Sequence, residues 1–189
     1  MRWTIQKLPR FHELKGRIGD AHAAGEQLAR VVQRHVLRAS ASRHRTASRL
    51  GATPTGHISE GAANIRMEKF RRKAVVVVPI PGITRAFGDL HIRPRNAKAL
   101  TIPINAVAYG VRAPELADSG WRLFTLPARE GPGAGILFGR KAGQASTVAL
   151  YLLRDSADIP QDRGLMPSDE EMGEAMAIGV ADEIERTRT

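Results

Sequence analysis

The chain has 189 residues, no cysteine, 5% aromatic residues and a formal charge of +10 with a pI near 10.9. Its length suits one domain with a proper core, or a core with an extension, and the missing cysteines exclude disulfides and thiolate metal sites. The charge points to polyanionic surroundings (nucleic acid, a membrane surface or an acidic protein), while few aromatics leave little for base stacking.

In residues 1–20, Trp3, Ile5, Leu8, Phe11, Leu14 and Ile18 recur at spacings near three, but Pro9, Gly16 and Gly19 oppose one long helix. From Ala21 to Ala47 the pattern predicts a helix whose apolar face holds Leu28, Val32, His35 or Val36, and Ala39. Arg30, Arg34 and Arg38 form a second, basic stripe at spacing four, which is either a solvated face or a phosphate-contacting one. Ser48–His57 is a break rich in Gly, Pro and Thr. Ser59–Phe70 reads as a shorter helix running into the basic cluster Lys69-Phe-Arg-Arg-Lys73.

Val75–Val78 is expected as a buried strand, stopped by Pro79-Ile-Pro-Gly82. Leu90–Ile92 and Ala99–Ile104 are strand-like and flank Arg93-Pro-Arg-Asn-Ala-Lys98, so they predict a β-hairpin or long loop with Arg93, Arg95 and Lys98 at its tip. Tyr109–Ser119, with Pro114, is expected to be a loop. Trp121–Leu126, Gly135–Gly139 and Ser146–Leu153 read as strands, with Gly131-Pro-Gly-Ala-Gly135 as a flexible connector. The last element is a helix, with Ser168 as N-cap, Glu171 completing a capping box, and Met172, Met176, Val180 and Ile184 on its apolar face.

Segregated helices and strands imply an α+β fold: N-terminal helices, a mostly antiparallel or mixed sheet, and a C-terminal helix packed on the sheet. The expected organisation is one structural domain, with a helical region 1–72, a β-rich core 73–166 and a C-terminal helix 167–189. Charge is uneven along it. Residues 1–72 carry 15 basic against 5 acidic side chains, 73–154 carry 11 against 4, and 155–189 carry 3 against 10. An acidic tail on a basic body suits contacts between protein surfaces, and equally a solvated helix.

Motifs for chemistry are missing. The six histidines show no HxH, HxxxH or HExxH spacing, so no metal site is expected. Gly131–Gly135 leads into a strand and lacks the Gly-Lys-Ser/Thr of a phosphate loop, and there is no GxSxG elbow. Asp169-Glu-Glu171 is explained by helix capping and the helix dipole. The expectation is no catalysis and no cofactor. Phosphate contact has candidate cations in Arg30/Arg34/Arg38, Arg43–Arg49 and Arg93/Arg95/Lys98, without any base-reading motif beside them. No apolar run approaches the roughly 20 residues of a membrane span. The N-terminus has Arg2 and Lys7 but no apolar signal-peptide core, so cytoplasmic synthesis without a membrane partner is expected.

Four stretches carry a resemblance to a family. Ile92-Arg-Pro-Arg-Asn-Ala-Lys-Ala-Leu-Thr-Ile-Pro103 is similar to the "GGTIRPKNAKALTIP" pattern of phage virion-morphogenesis, or tail-completion, proteins. Ser48–His57 resembles that family's Leu-Gly-Gly linker after a basic helix, Pro81–Leu90 its "PGI…GG" approach, and Ile159–Glu170 its "IP…LLPSDEE" lead into a final helix. The stretches keep their order across roughly residues 25–185. Asp89 stands where a second Gly is expected, and Arg95 where Lys is usual. The resemblance implies a structural component of the tailed-phage virion, at the head–tail junction or tail terminus and made in the host bacterial cytoplasm. It implies a ring of copies such as a hexamer or dodecamer, next to tail-tube, connector or neck proteins and passing DNA. The competing class is a basic, non-specific DNA-binding module.

Overall fold

The computed structural model describes residues 2–4, 18–43, 45–71, 73–127 and 135–187. The apolar pattern within residues 5–17 and the connector 131–134 lie outside the described residues. The helices are α1 (Ile18–Ala41), α2 (Arg45–Leu50), α3 (His57–Ala63), α4 (Ala113–Asp118) and α5 (Asp169–Arg186). The strands are β1 (Arg2–Thr4), β2 (Arg66–Phe70), β3 (Lys73–Val77), β4 (Leu90–Ile92), β5 (Leu100–Pro103), β6 (Trp121–Pro127), β7 (Gly135–Lys141), β8 (Val148–Arg154) and β9 (Ala157–Ile159). The fold is α+β, with helices packed on antiparallel sheets.

Two compact units form, Met1–Arg43 with Gly56–Gly88 and Asp162–Thr189, and His44–Thr55 with Asp89–Gln161. These boundaries do not follow the regions 1–72, 73–166 and 167–189, because segments far apart in sequence share a core.

In the first unit, α1 buries Ala24, Leu28, Val32, Val36 and Ala39, the face its periodicity predicts. It stops earlier than expected. The Ser40 hydroxyl donates to the Leu37 carbonyl at 2.7 Å and that of Ser42 to Ala39 at 3.2 Å, occupying carbonyls that the last turn leaves open. The predicted helix Ser59–Phe70 is half right. Asn64 caps α3, its Nδ2 donating to the Glu60 carbonyl at 2.8 Å. Arg66–Phe70 then pairs with β3 as a hairpin, Arg66 opposite Val77 and Phe70 opposite Lys73. Strand pairing overrides the local helical preference of that polar run. With β1 on its other edge, β3 is the centre of a three-stranded sheet, and Ala74–Val78 are all buried.

The capping box of α5 is present: Glu171 N–H donates to Ser168 Oγ at 3.1 Å and Ser168 N–H to Glu171 Oε2 at 2.8 Å. Met176 and Val180 join Leu28, Val32 and Val36 of α1 and Val76 of β3 in one core. Helix α5 meets α1 backbone to backbone. A Cβ at Gly179 would lie 2.5 Å from the Ala23 carbonyl oxygen, and one at Gly25 would lie 2.6 Å from the Ala74 methyl.

In the second unit a four-stranded antiparallel sheet runs β5-β8-β7-β6, and β4 and β9 form a separate pair. Leu137 faces Tyr151 but Phe138 faces Ala149, so Leu150 is an extra residue in β8. This bulge turns consecutive side chains, Leu150 and Tyr151, inward, where they pack with Leu116 and Ala108. The Tyr151 hydroxyl donates to the Val111 carbonyl at 2.7 Å, and burial raises its pKa. The expected loop Tyr109–Ser119 contains α4, because Pro114 sits in its first turn, where no helical N–H is lost. The hairpin reading is also corrected. Strand β4 pairs with β9 and β5 with β8, so Arg93–Ala99 crosses between two sheets as a long loop. That segment has no Asn-Gly-type dipeptide to close a tight hairpin.

Gly179→Ala is expected to lower stability by about 1–3 kcal/mol, since a backbone carbonyl cannot move aside without parting the helices. The measurement is the urea midpoint, which should fall at unchanged slope.

Candidate interaction surfaces

The six sequence-predicted cations divide between the two units. Arg30, Arg34 and Arg38 lie exposed along one side of α1, one turn apart, in the first unit. Arg93, Arg95 and Lys98 are exposed on the β4–β5 crossover in the second.

The crossover has its own polar anchor. His91 and Asp158 are opposite residues of β4 and β9, with His91 Nδ1 2.6 Å from Asp158 Oδ1. Arg93 Nε donates to His91 Nε2 at 2.9 Å. A guanidinium only donates, so Nε2 accepts and the ring proton sits on Nδ1, donated to Asp158. The chain Arg93–His91–Asp158 fixes where the loop leaves β4. Arg95 and Lys98 have no ion pair among the described residues.

The third cation group, Arg43–Arg49, is divided between the units. Arg43 belongs to the first unit, and Arg45 and Arg49 to the second. Arg43 is committed to Asp162 in a two-pronged pair, Nε to Oδ2 at 2.7 Å and Nη2 to Oδ1 at 2.8 Å, and its Nη1 donates to the Ala39 carbonyl at 2.9 Å. Arg85 reaches the same carboxylate at 3.4 Å, and Asp162 N–H donates to the Arg85 carbonyl at 2.8 Å. This clamp ties the end of α1 to the 3₁₀ turns Ile83–Ala86 and Arg163–Leu165. Nothing in the local sequence around Asp162 announces it. His35 works beside it, its Nε2 donating to the Gly164 carbonyl at 3.1 Å. In the basic cluster 69–73, Lys69 pairs with Glu26 at 2.9 Å and Lys73 sits 5.2 Å over the Phe70 ring.

Among the described residues no group of three or more His, Asp or Glu side chains is placed to hold a metal ion, and no helix is long and apolar enough to cross a membrane. Each unit presents its own group of cations to solvent.

The Arg43 hydrogen bonds hold the Asp162 carboxyl below its ordinary pKa, with Arg85 adding to the effect. A carboxyl with a lowered folded-state pKa contributes fully above its unfolded value of about 3.9, and loses the contribution as pH falls through the folded value. Asp162→Asn should therefore cost about 1–3 kcal/mol at neutral pH. Denaturant titrations should show the gap to the parent protein closing below about pH 4.

Compared with family models, curated proteins and solved structures, the chain has no match to any of them.

Proposed function

We propose that this chain is a structural protein of a tailed-phage virion, a tail-completion, terminator or neck component that assembles as a ring at the head–tail junction. The observation that carries the reading is the Ile92–Pro103 motif. Its cations Arg95 and Lys98 face solvent on an anchored crossover, as a docking loop requires. The reading rests on the chain's own four stretches and their order. It is further supported by the charge division, an acidic C-terminal helix on an otherwise basic chain, which suits contacts between copies. Rings use heterologous interfaces, in which two different faces of one subunit are complementary. The role is structural, without catalysis or cofactor, and the protein acts in the particle after synthesis in the host cytoplasm. Its neighbours are tail-tube, connector or neck proteins.

A second reading is favoured by one observation, the exposed row Arg30, Arg34 and Arg38 on α1. In that reading the chain is a basic module that binds DNA without sequence preference.

Two measurements separate them. Arg93→Ala, Arg95→Ala and Lys98→Ala together should sharply reduce infectious particles in a phage complementation assay while circular dichroism stays unchanged. Full infectivity removes the crossover from the docking role. For the DNA module, the isolated chain stays monomeric and binds duplex DNA with submicromolar affinity at physiological salt. Replacing Arg30, Arg34 and Arg38 with Ala then flattens the salt dependence by about 0.9 per cation.

A further inference from the structure

The four-stranded sheet of the second unit has two apolar faces, and only one belongs to the core described above. Strand register places Phe124 opposite Phe138, Leu126 opposite Ile136, and Leu152 between Ile136 and Ile102, all on the other face. The Phe124 and Phe138 rings stack with centroids 6.0 Å apart. Phe124 is 36% exposed and Leu126 53%. Arg122 and Arg140 lie opposite each other at one end of this face, and Arg154 stands beside Leu100 at its far edge. All three arginines are exposed and have no ion pair among the described residues. An apolar patch rimmed by charge is the anatomy of a protein interface rather than of a phosphate site.

The complementary surface is on the same chain. Helix α5 is held in the first core by Met176, Gly179 and Val180, and turns the opposite arc to solvent. That arc has Ile178, 49% exposed, at its centre beside Ala177 and Ala181. Glu174 and Asp182 lie one turn to either side, with Glu170 and Glu185 beyond. The 18-residue helix is about 27 Å long and the seven-residue strands about 23 Å, so the two surfaces are similar in length. The two surfaces are complementary, each with an apolar centre, one flanked by carboxylates and the other by arginines.

We infer that the outer sheet face of one copy receives the exposed arc of α5 from a second copy. The two faces differ, so the contact is head-to-tail and propagates into a ring or an open chain. This deepens the assembly reading above. Its test reads self-association of the purified protein, and so fails separately from the infectivity assay.

The test uses two variants of the full chain, Ile178→Asp and Phe124→Asp, compared by sedimentation velocity at low salt. The parent protein should form species larger than a dimer, weakening as salt is raised. Each variant alone should fall to one chain of 20.6 kDa, with circular dichroism unchanged. Mixed in equal amounts, they should form a 1:1 dimer of about 41 kDa, twice the 20.6 kDa chain, because each retains one intact face. A parent that stays monomeric, a variant that assembles like the parent, or a mixture that stays monomeric overturns the inference. Should a variant fail to fold, the natural absence of cysteine allows a second measurement. The double variant Glu174→Cys with Arg140→Cys, oxidised under assembly conditions, should give a ladder of disulfide-linked chains. A monomer band alone, reduced or internally linked, overturns the proposal.

Discussion

The first unit depends on the contact of two backbones. At Gly179 there is room for a hydrogen and nothing larger, because the Ala23 carbonyl of α1 occupies the place of a side chain. Only at that separation do Met176 and Val180 reach the Leu28, Val32 and Val36 face of α1, and only then is the core over β3 closed. Small residues matter on the sheet side too, where Gly25 lets α1 lie down on Ala74. The unit's stability is thus a matter of distance as much as of apolar area, since dispersion contacts decline steeply with sub-ångström gaps.

Polar pairing then sorts the charges. The tightly held ones join segments: Asp162 gathers Arg43 and Arg85, and Asp158 orders His91 and Arg93. The remaining cations, on α1, on the crossover and around the outer sheet face, point into solvent. Surface charges kept out of local ion pairs cost little while exposed and become useful when a surface of opposite sign arrives. In a chain with a formal charge of +10, the concentration of carboxylates on α5 stands out for that reason.

What the sequence makes legible is local. The α5 capping box, the buried run in β3 and the short apolar runs of β6, β7 and β8 are each marked by a cap or by local composition, and these elements lie where expected. Errors arise where distant residues decide. Arg66–Phe70 becomes a strand because β3 offers an edge, β4 and β5 separate because β9 and β8 are better partners than each other, and Leu150 enters the core through a bulge that no pattern marks. The candidate cations were visible as residue types. Which of them are already spoken for was not, since Arg43 is indistinguishable from Arg45 until Asp162, more than a hundred residues on, is brought to it.

Discontinuity of the first unit sets an order on synthesis. Every segment of the second unit, up to Gln161, is synthesised before α5, while the first unit still lacks the helix that closes its core. During translation α1 and β3 therefore wait with their apolar faces open until α5 is made. The interval is when these faces are open to aggregation or to a chaperone, and it ends when the last helix arrives.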